Sequence, residues 1–248
     1  MTTATFRFYE ELNDFLAPGQ RGREFACRCA RAASVRQAIE SLGVPRTEVE
    51  LVLVNGESVG FDRALQDGDR VSVYPMFETL DVTPLVRVRD RTLRVTRFVA
   101  DAHLGGLARL LRMLGFDTLY DNRAGPDEVE RLARAQRRIV LTRDRQLLRR
   151  RGITHGCAVQ SPDPRQQLHE VFDRLDLARS ARPFTRCLHC NGMLRPIGKE
   201  RLQGRVPPGV LERQARFSHC DGCARVVWEG THWRRMRDLV EPLLATTA

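Results

Sequence analysis

The chain has 248 residues, enough for two or three compact domains, and its 41 Lys and Arg against 31 Asp and Glu give a formal net charge of +10. No apolar run reaches the roughly 18 residues that a membrane-spanning helix needs. Residues 1–10 lack the basic-then-apolar order of a secretory signal. These properties argue against a membrane protein and predict a cytoplasmic one.

The positive charge is concentrated in the later part of the chain. Residues 1–82 hold 9 Arg against 13 acidic residues, a net charge of −4, whereas residues 83–248 hold 32 basic against 18 acidic residues, a net charge of +14. A surface with such an excess attracts polyanions, because each neutralised phosphate releases counterions. The charge pattern therefore favours nucleic acid as a partner, although an arginine-rich composition can also reflect codon usage.

Residues 1–82 show a strand, a helix, a hairpin and a further strand. The alternating run TFRFYEEL predicts the first strand, and the Asn55-Gly56 pair between apolar runs predicts a tight hairpin. The run DGDRVSVYP predicts a turn that leads into the last strand. A helix is predicted where apolar residues recur at helical spacing, at Val35, Ala38, Ile39 and Leu42. This order predicts a β-grasp, or ubiquitin-like, domain.

The VNGE turn and the DGDRVSVYP ending resemble the small sulfur-carrier proteins of the β-grasp fold. Those carriers end in a Gly-Gly pair whose terminal carboxylate is activated. Here the last strand continues into Met76, Phe77, Glu78 and Thr79 without a Gly pair. The departure argues against sulfur carriage and favours a docking or stabilising module with a possible protein partner.

Residues 95–180 alternate apolar strands with amphipathic helices, which is typical of an open, largely parallel α/β sheet. The predicted strands cover residues 97–100, 116–120, 138–142 and 157–160. The predicted helices cover residues 104–114, 127–137, a short segment from 144, and 164–175.

Acidic residues stand where two of these strands end. Asp101 follows one strand and Asp144 follows another, while Asp127 begins the intervening helix. Because the carboxyl ends of parallel strands lie along one sheet edge, these carboxylates could meet there. Such a cluster favours a hard cation, Mg²⁺ or Mn²⁺, which can activate water for phosphodiester hydrolysis. The alternative is structural, with Asp144 as a helix cap, Asp127 as a first-turn acid and Asp101 as a turn residue.

The runs FVADAHLGGLARLLRMLGFDTLYD, PDEVERLA and RIVLTRDRQLL resemble the RNase domain named after the C-terminal part of the Mut-seven exonucleases, a branch of the PIN-like nucleases. The resemblance covers residues 97–240. It implies a metal-dependent ribonuclease in which Asp101, Asp127 and Asp144 match the acidic positions. A fourth acid often completes such a site; the candidates are Asp117, Asp121 and Asp163, and Asp121 is preferred because it directly follows a predicted strand.

Basic and aromatic residues near these acids are candidate RNA contacts. Arg109 and Arg112 are three residues apart and share one helix face. Arg143 precedes Asp144, and Trp233 lies among arginines in a segment that could combine base stacking with phosphate binding. The structural alternatives are a solvated helix face for Arg109 and Arg112, and a packed core for Trp233 and Trp228.

Residues 183–242 contain two C-x-x-C motifs. Cys187 with Cys190 and Cys220 with Cys223 provide the thiolate set of a closed structural Zn²⁺ site, a zinc ribbon. His189 and His219 are alternative ligands. The predicted protein thus has a β-grasp domain (1–82), a PIN-like domain (95–180) and a zinc ribbon (183–242). Its predicted activity is metal-dependent RNA hydrolysis, and the alternative is a non-catalytic RNA-binding or adaptor protein.

Overall fold

A computed structural model of the chain describes residues 1–75, 96–175 and 177–245. It consists of two compact units. The first contains Met1–Val95 and Pro126–Val159, and the second contains Thr96–Gly125 and Gln160–Ala248. The boundaries 1–82, 95–180 and 183–242 stay a prediction.

The first unit begins with a β-grasp domain, as predicted. Its five strands are β1 (Thr2–Phe8), β2 (Phe25–Cys29), β3 (Leu51–Val54), β4 (Glu57–Ser58) and β5 (Arg70–Tyr74). Their order in the sheet is β2-β1-β5-β3-β4, and β1 and β5 run parallel at the centre. Helix α1 (Val35–Ser41) begins with a capping box, in which Ser34 and Gln37 exchange side-chain to backbone hydrogen bonds.

The core of this domain follows from residue alternation. Ala4, Phe6 and Phe8 point inward from β1 and are almost fully buried. Strand β2 was not predicted, because Phe25 and Cys27 are only half-buried and the apolar contrast along the strand is weak. Strand β5 ends at Tyr74; the predicted continuation through residues 76–79 lies outside the described residues.

The rest of the first unit supplies a parallel strand pair and two helices. The elements are α3 (Pro126–Gln136), β8 (Ile139–Thr142), α4 (Arg145–Leu148) and β9 (Gly156–Ala158). Strand β8 is buried along its whole length and pairs in parallel with β9, from Val140 opposite Gly156 to Thr142 opposite Ala158. A strand buried on both faces is typical of parallel α/β sheets.

The second unit contains another parallel pair, β6 (Arg97–Ala100) with β7 (Asp117–Tyr120), and the helices α2 (Gly105–Met113) and α5 (Pro164–Arg174). Leu107 and Leu111 of α2 are fully buried. Gly115 ends this helix segment with a positive φ of 90°, and a Cβ there would lie 2.0 Å from the carbonyl oxygen of Arg182. The predicted α/β class with parallel strands is therefore confirmed.

The second unit also contains a small antiparallel sheet and two further helices. These elements are β10 (Leu194–Pro196), α6 (Pro208–Arg213), β11 (Phe217–Cys220), β12 (Val226–Trp228) and α7 (Thr231–Ala245). The strand order is β10-β11-β12. Leu202, Val206 and Phe217 form a buried cluster beside this sheet, against which Trp228 packs.

Candidate functional site

The two C-x-x-C motifs form matching turns beside the small sheet. The N–H of Asn191 donates to the carbonyl of Cys187 at 2.9 Å, and the N–H of Ala224 donates to the carbonyl of Cys220 at 3.0 Å. Asn191 and Ala224 both have positive φ angles, 67° and 56°. Each motif is thus followed by a left-handed residue that closes its turn, and this local geometry directs both sulfurs of a motif toward one point.

The four sulfurs come together. Cys187 Sγ lies 3.7 Å from Cys223 Sγ, and Cys190 Sγ lies 3.3 Å from Cys220 Sγ. A tetrahedral zinc site with Zn–S bonds of about 2.3 Å requires sulfurs about 3.8 Å apart, close to this spacing. All ligand atoms of the group lie within 4.8 Å of one another, and neither His189 nor His219 belongs to it. The cluster could therefore hold a metal ion such as Zn²⁺.

The thiols of the cluster differ in acidity. Burial acts to raise the pKa of Cys220, but hydrogen bonds from the Cys223 and Gly222 backbone and from the Cys190 thiol outweigh it and lower this pKa to about 7. Burial raises the pKa of Cys190 to about 12. Because a metal binds thiolates, the lowered pKa of Cys220 favours metal binding at this sulfur.

A buried arginine ties the first cysteine turn to the α/β part of the second unit. Arg112 of α2 is only 5% exposed. Its Nη1 donates to the carbonyls of Leu188 and His189, at 3.1 and 3.0 Å, and its Nε donates to the carbonyl of Thr118 at 2.9 Å. Burial lowers the pKa of Arg112, while the nearby sulfurs of Cys187 and Cys190 act in the opposite direction. These contacts indicate a structural role.

Asn191 forms the second tie between the cysteine turn and β7. Its side-chain oxygen accepts from the N–H of Thr118 at 3.0 Å, and its Nδ2 donates to Asp117 Oδ1 at 2.7 Å. Arg186 Nη2 lies 3.7 Å from the other oxygen of Asp117. Sequence reasoning missed Asn191; the signal was an Asn placed directly after C-x-x-C, a position that favours left-handed backbone.

Two of the predicted acidic residues of the second unit, Asp101 and Asp121, occupy turns after its parallel strands β6 and β7. Asp101 follows β6, is 7% exposed, and accepts the N–H of His103 at 2.8 Å. Asp121 directly follows β7, is exposed, and accepts the N–H of Arg123 at 2.9 Å. Asp163 caps α5 by accepting from two backbone N–H groups. Among the fourth-acid candidates, Asp117 is thus held by Asn191 and Asp163 by its helix.

The predicted acidic residues of the first unit lie at the starts of α3 and α4. Asp127, whose side chain is 92% exposed, pairs with Arg150, which also contacts Glu130 at 2.6 Å. Asp144 caps α4 by accepting the N–H of Gln146 at 2.8 Å. Within residues 1–75, 96–175 and 177–245, the four cysteines are the only group of three or more His, Cys, Asp or Glu side chains with ligand atoms this close together. The carboxylate site stays a prediction.

The candidate RNA contacts differ in exposure. Arg109 and Arg143 are exposed, whereas Arg112 is buried in the contacts described above. Trp233 is half-buried against Phe184, with ring centroids 4.9 Å apart, and the guanidinium of Arg237 lies 5.6 Å from the Trp233 centroid. Trp233 thus packs within its own unit while part of its ring stays accessible.

Comparison with known proteins gives two family matches. The model of the Mut7-C RNAse domain matches residues 96–240, and that of the Mut7-C ubiquitin domain matches residues 1–81. No curated protein matches the chain. Two crystal structures of small archaeal modifier protein 1 from Haloferax volcanii are 20% identical over 31% and 32% of this chain and 100% and 99% of theirs, each with a TM-score of 0.26. Every helix in the described ranges is too short or too polar to cross a bilayer.

Proposed function

Because the chain belongs to the Mut7-C RNAse domain family, we propose that it is a metal-dependent ribonuclease that hydrolyses RNA phosphodiester bonds. The family match over residues 96–240 carries the proposal, since that range contains Asp101, Asp121, Asp127 and Asp144 together with the four-cysteine cluster. The excess of basic residues after position 82 supports a polyanionic substrate.

In this proposal the carboxylates of Asp101, Asp127 and Asp144 hold Mg²⁺ or Mn²⁺, with Asp121 as a fourth acid. Oxygen donors of this kind suit hard divalent cations. A bound ion would supply Lewis acidity at the phosphate and would lower the pKa of a bound water, which favours its attack. The exposed guanidinium groups of Arg109 and Arg143 would bind phosphates, and the accessible part of the Trp233 ring would contact a base.

The test uses the full chain with labelled single-stranded RNA, with and without added Mn²⁺ or Mg²⁺. Asp101→Asn and Asp144→Asn should each lower kcat by on the order of 100-fold, because an amide is a poorer ligand for a hard cation. Asp173→Asn removes an exposed acid of α5 and serves as the charge control. Calorimetry with Mn²⁺ alone measures binding at the acids. Equal cleavage by wild type and both Asn variants would disprove the proposed site.

A second candidate function is RNA binding without catalysis. The observation that favours it is that Asp101 and Asp144 already serve as turn and helix-cap residues. Retardation of RNA in gels without cleavage, across several substrates and both metal ions, would support this function instead of hydrolysis.

We also propose Zn²⁺ as the structural ion of the cysteine cluster, in a ribbon over residues 183–242 that follows a PIN-like domain over residues 95–180. A Cys₄ site needs reduced thiols, which fits a cytoplasmic protein. Elemental analysis of the purified chain should show about one zinc per molecule, the stoichiometry of a single four-coordinate site.

A further inference from the structure

The β-grasp domain contacts β9 through a buried carboxylate. Strand β9 pairs with β8 on one side, and the N–H of Val159, just beyond it, donates to the carbonyl of Thr142 at 2.8 Å. Successive N–H groups of a strand face opposite sides, so the N–H of Ala158 faces away from β8. It donates to Glu48 Oε1 at 2.7 Å, and Glu48 is 4% exposed. A β-grasp side chain therefore satisfies the outer side of this strand.

Neighbouring residues extend this contact to the loop before β9. The guanidinium of Arg46 donates to the carbonyls of Arg151 and Ile153, at 2.8 and 3.0 Å. The approach is close at Gly156, where a Cβ would lie 3.6 Å from Thr47 Cβ and 2.4 Å from Leu148 Cδ2. The segment Arg46–Glu48 thus covers both β9 and the backbone that leads into it.

Helix α4 and the residue after it also contact the β-grasp domain. Arg145 donates to the carbonyl of Asp14 at 3.2 Å, and its guanidinium lies 4.6 Å from the centroid of Phe15. Arg149, just after the helix, donates to the carbonyl of Gly43 at 3.1 Å. Because α4 is a single turn, its own hydrogen bonds cannot hold it, and its position depends on the packing of buried Leu147 and Leu148 together with these contacts.

We propose that the β-grasp domain is an intramolecular clamp that covers the outer side of β9 and fixes α4, and thereby positions Asp144 at the start of that helix. Glu48 and Arg46 are positioning residues on one side of the clamp, and Arg145 and Arg149 are their counterparts on the other. The part of this inference that concerns catalysis rests on the proposed function of Asp144. The clamp itself does not, since it is defined by the contacts of β9 and α4.

The first test measures hydrogen exchange of the full-length protein. Glu48→Leu and Arg46→Met should speed exchange in peptides covering residues 143–159 by about tenfold or more, the loss expected when a side-chain hydrogen bond to backbone is removed. Glu48→Gln keeps a carbonyl oxygen for Ala158 and should restore protection. Arg21→Met is the matched control, because Arg21 donates to the carbonyl of Leu16 inside the β-grasp domain at 2.9 Å.

Two exchange results would overturn the clamp. One is unchanged protection of residues 143–159 in both Glu48→Leu and Arg46→Met. The other is an increase in both variants that is equally large in peptides of β6 and α2, since that would show general destabilisation. Arg46→Met is the milder change and decides the matter if Glu48→Leu does not fold.

The second test measures RNA cleavage by the same variants. If the clamp positions Asp144, Glu48→Leu should lower kcat about tenfold with little change in KM, and Glu48→Gln should restore kcat. Unchanged kcat with faster exchange would refute the positioning of Asp144. The β-grasp domain would then only cover the outer side of β9. Absence of cleavage by the wild-type protein would count against the proposed function, and the exchange result would still decide the clamp.

Discussion

The β-grasp domain and the part of the chain that contains the four cysteines and strands β10–β12, called the ribbon here, contact the α/β elements in similar ways. They differ in how much their stability depends on these contacts. In both, buried polar side chains bind backbone groups: Glu48 binds the N–H of Ala158, and Arg112 binds the carbonyls of Leu188 and His189. The β-grasp domain has a large apolar core of its own, whereas the ribbon has a buried cluster of three residues. A module with so small a core needs a metal or a host to stay folded.

Loss of the metal should therefore have the largest effect on stability, and it should act on the ribbon and not on the β-grasp domain. Cys190→Ser should abolish zinc binding and unfold the ribbon, because zinc binding contributes on the order of 10 kcal/mol in small zinc domains. Zinc content by elemental analysis and near-ultraviolet circular dichroism of the tryptophans would measure both effects. Cys27→Ser alters a half-buried cysteine outside the cluster and should keep its zinc. A folded, zinc-free Cys190→Ser protein would show that the ribbon does not depend on the metal.

Loss of Arg112, which binds backbone carbonyls of the ribbon, should have the second largest effect on stability. Arg112→Met leaves the carbonyls of Thr118, Leu188 and His189 without this donor, and we expect a loss of about 3 kcal/mol in the free energy of unfolding. Arg109→Met on the same helix is the matched control, because Arg109 is exposed and should cost less than about 0.5 kcal/mol. Urea denaturation of both variants checks this; equal costs would contradict a structural role for Arg112.

A substitution at Gly156 in β9 should lower the stability least among the three changes. A Cβ at Gly156 would meet Leu148 Cδ2 at 2.4 Å and the carbonyl oxygen of Val140 at 3.3 Å. Gly156→Ala should therefore destabilise the first unit by about 1 to 2 kcal/mol through overpacking. Gly125→Ala is the control, since a Cβ added at Gly125 would have no neighbouring atom within 4 Å. Thermal unfolding of both variants measures the difference. Unchanged stability of Gly156→Ala would contradict the prediction, because the neighbouring side chain would then have moved without loss of packing.

Much of the fold could be predicted because its signals are local. The strands 97–100 and 138–142 and the helix 164–175 match β6, β8 and α5 to within one residue at each end. The helix that ends at Gly115 was predicted for the same reason, since amphipathic spacing and a left-handed glycine act over a few residues. Strand β2 was missed because its residues are partly exposed and its partner, β1, is distant in sequence.

In the candidate site, too, the features with local signals could be predicted and those that depend on distant residues could not. The pairing of two C-x-x-C motifs is readable from sequence, because two residues between cysteines suffice to direct both sulfurs to one point. Arg109 and Arg112, by contrast, share a spacing and a chemistry that predict one exposed face. The structure exposes Arg109 and buries Arg112, because residues some 76 positions later cover that part of the helix.

The sequence by itself determined most elements of the β-grasp and α/β parts, both of these fold classes, the two C-x-x-C motifs and the family resemblance, because each depends on residues close together along the chain. Only the tertiary structure decided what Glu48 and Arg112 do. Their partners lie 110 and 76 residues away, and the energy of a buried polar group depends on whether such a distant partner meets it. The cysteines are found by their spacing, whereas the side chains that hold them against α2 and β7 are found only in the fold.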